Sequence, residues 1–164
     1  MPVFATAGAT VAIGPAMAAS YGAPMVLSTF TAVDADDWKK ISPLESLGSF
    51  GDSAEEVSFV AVDIDSRVRK IKGARDAGTM ELVAGLNYAD PGQLAMLAAE
   101  ATPNSYAFRV TFNDAPVGGT PSERFFVGIV MSASEQLDGA NSVMKVNFKV
   151  AIQSNVVRKA AASA

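Results

Sequence analysis

The sequence predicts a mainly β protein: an antiparallel β-sandwich or barrel with one flanking α-helix, extended arms and long loops. Three observations carry that expectation. Several segments alternate apolar and polar residues with a period of two, the mark of a strand with one buried face. Only one segment combines helical spacing with start and stop signals. The regular strand–helix alternation that a doubly wound sheet requires is missing. The 164 residues fit a single domain, placed at 25–153, with an N-terminal arm over 1–24 and a C-terminal tail over 154–164.

The arm is rich in Ala, Gly and Pro. Its one β-compatible run is Ala9 to Ile13, and the rest reads as extended chain that packs on something larger. No charged side chain occurs before Asp34, and Ala16 to Ser20 superficially resembles a cleavage site. A basic start is lacking, however, and Gly8, Gly14, Pro15, Gly22 and Pro24 interrupt the apolar stretch, so neither an export signal nor a membrane span is expected. Met25 to Val33 is β-branched and aromatic and reads as a strand. Asp34 to Ser53, with its acidic patch, Trp38, Pro43 and Gly/Ser clusters, reads as a long irregular connection.

Val57 to Ile64 reads as a strand, and Arg67 to Ile71 alternates basic with apolar residues before Gly73 and Gly78 bracket a turn. Thr79 to Asn87 follows as a half-buried strand with Met80, Leu82, Ala84 and Leu86 on one face. The helix is Pro91 to Ala101. Asp90 is its N-cap, Pro91 suits its first position, and Leu94, Leu97, Ala98 and Ala101 recur at helical spacing until Thr102 and Pro103 end it. Tyr106 to Phe112 alternates as a half-exposed strand, Asn113 to Pro121 is a turn, and Glu123 to Ala133 is apolar enough to be buried on both faces or to lie at an interface. Val143 to Gln153 alternates most cleanly, with Val146, Phe148, Val150 and Ile152 opposite Lys145, Asn147 and Lys149.

Composition removes most enzyme chemistry. The chain has no Cys and no His, which excludes disulfides, thiol nucleophiles, imidazole bases and the usual zinc or haem ligands. Carboxylate, Lys, Tyr and backbone chemistry remain. Asp34, Asp36 and Asp37, and again Asp63 and Asp65, have the spacing to face a divalent cation or to form a solvated or partner-facing loop; the EF-hand glycine and terminal Glu are missing. Glu55 or Glu56 with Asp63 would make a hydrolase carboxylate pair only if Val57 to Ile64 lined a pocket. The Gly-rich stretches lack the Lys-Ser/Thr of a phosphate loop. No catalytic residue, metal ligand or cofactor is assigned.

Charge is distributed unevenly. Residues 1–66 hold nine acids and two bases (−7), residues 67–76 five bases and one acid (+4), and residues 77–164 six bases and seven acids (−1), giving the net −4. An acidic chain gains no counterion-release grip on duplex DNA. Charged residues make up 18% of the chain against roughly 25% in an ordinary soluble domain, so part of the surface faces partners or is solvated by Ser, Thr, Asn and Gly. The basic run Arg67, Arg69, Lys70, Lys72 and Arg75 is either a contact surface for phosphate or acidic protein, or a solvated hairpin. Trp38 is a core lid or an interface anchor. The pair Phe125 and Phe126 points to opposite faces of one strand, so both faces have apolar surroundings.

The order of these parts resembles the major tail tube proteins of long-tailed bacteriophages and their relatives in gene transfer agents. Most of the likeness lies in GSFGDSAEEVSFVAVDIDSRVRKIKGARDAGTMELVAGLNYADPGQLAMLAAEA, continued by YAFRVTF and ERFFVGIVMSASEQ, over roughly 25–157. The resemblance implies a non-enzymatic virion subunit, made in the bacterial host cytoplasm, that forms hexameric rings stacked into a hollow tube for genome ejection. It further implies a long hairpin, here Val57 to Leu82 with its tip near Asp65 to Gly78, reaching the adjacent ring. Implied partners are further copies of the chain, terminator, baseplate or tape-measure proteins, and viral DNA passing without sequence-specific binding, with no membrane. Candidate contacts between subunits or rings are Asp34, Asp36, Asp37, Trp38, Glu55, Glu56, Arg67, Arg69, Lys70, Lys72, Arg75 and Phe126. A single-ring terminator or completion protein is the rival with the same fold. A head-to-tail ring needs two unlike patches on one subunit, and the acidic and basic segments supply opposite signs.

Overall fold

A computed structural model describes residues 3–164; Met1 and Pro2, the start of the expected arm, lie outside the described residues. In chain order the elements are β1 (Thr10–Ala16), α1 (Leu27–Thr31), a 3-10 turn (Ala35–Asp37), β2 (Lys39–Lys40), β3 (Leu44–Ser46), β4 (Ser53–Val60), β5 (Val68–Asp76) and β6 (Thr79–Gly85), then α2 (Pro91–Glu100), β7 (Tyr106–Thr111), β8 (Glu123–Gln136), β9 (Lys145–Ile152) and β10 (Val157–Lys159). One eight-stranded sheet runs β2-β1-β7-β8-β9-β6-β3, with β10 also on β8, and β4 and β5 form a separate ribbon. All pairings are antiparallel.

The two ends of that order meet. β2 at one edge and β3 at the other are joined only by residues 41–43, so Lys40 and Leu44 lie within about 14 Å of each other. The sheet therefore curls into a barrel, as the alternation predicted. Its interior holds Val11, Ile13, Phe108, Phe126, Leu82 and Phe148 among others. Phe108 and Phe126 stack there with ring centroids 5.4 Å apart, a contact that contributes about 0.5–1.5 kcal/mol beyond burial.

α2 packs on β1, β2 and β8. Asp90 caps it as expected, its carboxylate accepting from the Gln93 and Ser42 backbone N–H groups at 2.9 and 3.1 Å. Buried Gln93 ties helix to barrel: its Nε2 donates to the Ser42 and Gly85 carbonyls and its Oε1 accepts from the Asn87 N–H. At Gly92 a β-carbon would collide with the Lys40 carbonyl, so only glycine lets the helix approach this closely.

Five expectations need correction. Met25 to Val33 is not a strand: Leu27–Thr31 forms a helical turn that buries Phe30, because this segment lies across the barrel and has no neighbouring strand to pair with. The segment 1–24 is not simply an arm, since β1 is an interior strand of the sheet between β2 and β7. The connection Asp34 to Ser53 contains the two short edge strands β2 and β3. The tail 154–164 is bound to the barrel through β10, paired with residues 123–125, and through a bridge from Ala162 to Thr120. The hairpin is Ser53–Asp76 rather than 57–82, with Gly73 inside β5 and the tip at 61–67.

Candidate functional site

The outer face of the barrel is divided. Over β1, β7 and the first half of β8, the side chains of Ala12, Ala107, Phe125 and Val127 are covered by Met25, Phe30 and Trp38. Phe30 stacks on Phe125 at 5.4 Å, and Trp38 lies at 6.0 Å from the same ring. The Arg109 guanidinium sits 5.0 Å from the Trp38 ring centroid, a cation–π contact. Trp38 is thus the lid of the two alternatives, and as a buried side chain it is withdrawn from the interface candidates. Phe126 is withdrawn for the same reason: it is fully inside the barrel, while Phe125 fills the layer under the lid. The two apolar surroundings expected for this pair are both supplied by the subunit itself.

Over the second half of β8, β9, β6 and β3, nothing among the described residues covers the outer face. Register puts Glu81 opposite Lys149, Val83 opposite Asn147 and Gly85 opposite Lys145 on that face, with Ser132, Ser134 and Gln136 of β8 on the far side of β9. Lys149 pairs with Glu81 at 3.4 Å, and Lys145 with Glu45 at 2.6 Å. Glu45 reaches Lys145 across β6 at Gly85, where β6 carries no side chain.

The β4–β5 ribbon is the third surface. Glu56 stands opposite Lys72, Val57 opposite Ile71, Ser58 opposite Lys70, Phe59 opposite Arg69 and Val60 opposite Val68. Val57, Ile71, Phe59 and Arg69 share one face; Glu56, Lys72, Ser58, Lys70, Val60 and Val68 share the other. Both faces are open to solvent, with Phe59 63% and Ile71 64% exposed, and Val62 and Ile64 in the tip are more exposed still. A lone two-stranded pair is marginally stable in water by its own pairing. The ribbon is anchored at its base, where the Ser53 hydroxyl donates to the Asp76 carbonyl and the Val156 N–H donates to Asp52. Beside that base lies an open cleft of about 850 Å³ lined by Pro24, Asp52, Arg75, Asp76 and Asn155.

The predicted charged candidates divide accordingly. Lys70 bonds Glu56 at 3.0 Å and Arg69 bonds Asp65 at 3.2 Å, so part of the acidic and basic segments meets within one ribbon. Arg67, Lys72 and Arg75 form no ion pair with the described residues. The basic residues lie along the β5 stem, with only Arg67 at the tip. Asp34, Asp36 and Asp37 surround the 3-10 turn on the exposed edge of the Trp38 lid. Among the described residues no cluster of three or more carboxylates has the arrangement of a metal site. The hydrolase reading required Val57 to Ile64 to line a pocket, but Val57, Phe59, Val60, Val62 and Ile64 are exposed and line none. Sequence reasoning missed the paired charges Glu45–Lys145 and Glu81–Lys149, because the Glu residues lie on strands distant in sequence from the lysines they meet.

Away from these surfaces, Asp114 accepts from both the backbone N–H and hydroxyl of buried Ser122, which holds its carboxyl below the usual range. Tyr88 is raised by donating its hydroxyl to Glu135. Both are local ties between loop and strand.

No family model and no curated protein matches the sequence. Solved structures do. The chain resembles a PVC sheath/tube terminator of an extracellular contractile injection system, at 11% identity and TM-score 0.67 over 98% of each chain. It also resembles the SPP1 tail tube protein, at 12% identity and TM-score 0.58, covering 93% of this chain and 76% of that one. A third likeness is to a chain in the virion of a native gene transfer agent, at 14% identity and TM-score 0.60, covering 78% of this chain and 92% of that one. The chain has the fold seen in these tail and injection-system proteins.

Proposed function

We propose that the chain is a non-enzymatic structural subunit of a phage-type tail tube, which forms hexameric rings that stack head to tail into a hollow conduit for DNA. The observation that carries this reading is the β4–β5 ribbon: an apolar row of Val57, Phe59 and Ile71 on a projecting two-stranded element that nothing in its own subunit covers. A projecting ribbon of this kind gains its buried face from another molecule. Lys72 and Arg75 on the stem, without an ion pair among the described residues, and Asp34, Asp36 and Asp37 on the lid edge provide unlike patches for a heterologous contact between copies. The likeness to tail tube, terminator and gene-transfer-agent chains supports the same reading. Partners are then copies of the chain, the proteins that start and stop the tube, and DNA in transit; its place is the virion tail.

A second reading, a terminator that makes one ring, is favoured by the full-length likeness to a sheath/tube terminator. Negative-stain electron microscopy of the purified protein separates the two. Long tubes are expected; isolated rings would transfer the chain to the terminator role, and monomers at high concentration would overturn both.

A further inference from the structure

We propose that Arg109 and Lys40, beside Trp38 on the outer face of β1 and β7, form a receptor for a carboxylate of a second copy of the chain, supplied by Asp63 in the ribbon tip. The proposal rests on the tube reading for the presence of other copies and goes beyond it in naming the receptor. Register builds the recess. Lys40 stands opposite Ala12 and Ala12 opposite Arg109, so the two cations flank the small Ala12 side chain on one face of the sheet. Trp38, two residues before Lys40, lies on the same face, where a β-carbon on Gly14 would strike its ring. It walls the recess and holds the Arg109 guanidinium 5.0 Å from its ring centroid.

Neither cation is satisfied within the subunit. Among the described residues the Arg109 Nε is the one enclosed side-chain nitrogen or oxygen without a hydrogen-bond partner, and neither Arg109 nor Lys40 forms an ion pair. The acid that β8 places on this face, Glu123 opposite Thr111, is held by Lys159 at 2.8 Å. The cation–π contact with Trp38 supplies no acceptor. A guanidinium presents its N–H donors in a planar fork, and a carboxylate matches that fork. On the lid edge Asp34, Asp36 and Asp37 offset Lys39, Lys40 and Arg109 at long range. Such balanced surroundings give a polyanion no attraction from a distance, yet leave the recess able to bind one carboxylate at contact.

The ribbon tip carries the matching group. Asp65 is engaged by the Arg69 side chain at 3.2 Å and by the Arg67 backbone N–H, whereas Asp63 forms no ion pair with the described residues. Val62 and Ile64 on either side of it are 82% and 73% exposed, and the lid offers half-buried Leu27 and Val33 as apolar ground for them. Among groups without an ion pair in the described residues, polarity matches twice. The tip combines an acid, Asp63, with a base, Arg67; the lid combines the bases Lys40 and Arg109 with the acids Asp34, Asp36 and Asp37.

The test compares assembly by sedimentation and negative stain, with folding followed by thermal melts of the unassembled subunit. Arg109→Met keeps a long apolar stem without the charge, so its melting temperature should be no lower than the parent's, because an unpaired buried charge costs free energy in the folded subunit. Its critical concentration for assembly should nevertheless rise by at least about tenfold. Asp63→Arg, at an exposed tip, should give the same rise, and Asp63→Arg/Arg109→Asp should recover most of it, since the exchanged pair attracts again. Assembly of Arg109→Met at the parent's concentration, or failure of the folded exchange variant to recover, would overturn the proposal. Should Arg109→Asp fail to fold, Asp63→Asn and Arg109→Met complete a double-mutant cycle: together they should lose no more than either alone, and additive losses would exclude the pairing. A parent that stays monomeric at high concentration fails the tube reading and this proposal with it, whereas an assembling parent with unaffected variants fails the proposal alone.

Discussion

The β4–β5 ribbon and the β6–β9 pair are built from similar sequence and have opposite fates. Each is an antiparallel pair whose strands mix apolar and charged residues, and each carries cross-strand Glu–Lys contacts. In β6–β9 the apolar row Met80, Leu82, Ala84, Val146, Phe148 and Val150 is wholly inside the barrel. In the ribbon the corresponding row remains in solvent. Alternation therefore states that one face of a strand will be dry, and leaves open which molecule dries it. In β6–β9 it is the same chain; in the ribbon, on the tube reading, it is another copy.

The sharpest way to break this comparison is to delete one large side chain from each row. Phe148→Ala leaves a cavity in a closed barrel and should cost about 3–5 kcal/mol, lowering the melting temperature of the unassembled subunit by many degrees. Phe59→Ser removes a side chain already in water and should shift the melt by no more than about 0.5 kcal/mol, yet abolish tubes in negative stain. Equal melting losses in the two variants would show that the ribbon folds back on its own subunit, and normal tubes from Phe59→Ser would remove the apolar row from assembly.

Next in size is the polar tie that seats α2, which is buried where the ribbon's base ties are exposed. Gln93→Leu leaves the Asn87 N–H and the Ser42 and Gly85 carbonyls without their partner in a buried setting, at about 1–3 kcal/mol by thermal or urea unfolding. Asp90→Ala, which frees the Gln93 and Ser42 N–H groups near the surface, should cost about 1 kcal/mol. A larger loss for Asp90→Ala than for Gln93→Leu would mean that the cap, and not the buried amide, holds the helix to the barrel.

How much of this was readable before the structure follows from range. The cap at Asp90, the alternation of β6 and β9 and the doubly buried middle of β8 depend on neighbours within a few residues and are legible, whereas β7 alternates as expected but is not half-exposed, because the Trp38 lid covers its outer face over Ala107 and Arg109. Met25 to Val33 reads as a strand because its β-branched and aromatic composition fits a pleated surface, but the environment of its Phe30 is set by Phe125, nearly a hundred residues away. The short strands β2, β3 and β10 leave almost no periodic signal, and each exists only because a distant edge was available to pair with. Trp38 and Phe126 looked like interface anchors because large aromatics serve both cores and contacts, and only burial separates the two uses. The basic run was legible as a segment; that Lys70 already holds Glu56 required the cross-strand register.

The smallest effect on folding decides the most about the ribbon's charges. Glu56 and Lys70 touch each other, whereas Lys72 and Arg75 have no carboxylate within their own subunit among the described residues. An exposed pair of this kind contributes about 0–1 kcal/mol, so exchanging it as Glu56→Lys/Lys70→Glu should leave the melt within about 0.5 kcal/mol of the parent, with tubes still formed. Lys72→Glu/Arg75→Glu should melt equally close to the parent, since neither side chain loses a partner. Its tubes should fail, because the reversed charges would meet the acidic patches of the next copy at every contact around the ring. Parent tubes should also weaken as ionic strength rises, because charges meeting across partly solvated contacts are screened within about 8 Å at physiological salt. Loss of tubes in the Glu56–Lys70 exchange would place that pair across copies, and intact tubes from a folded Lys72→Glu/Arg75→Glu variant, insensitive to salt, would leave the ribbon's assembly to its apolar row alone.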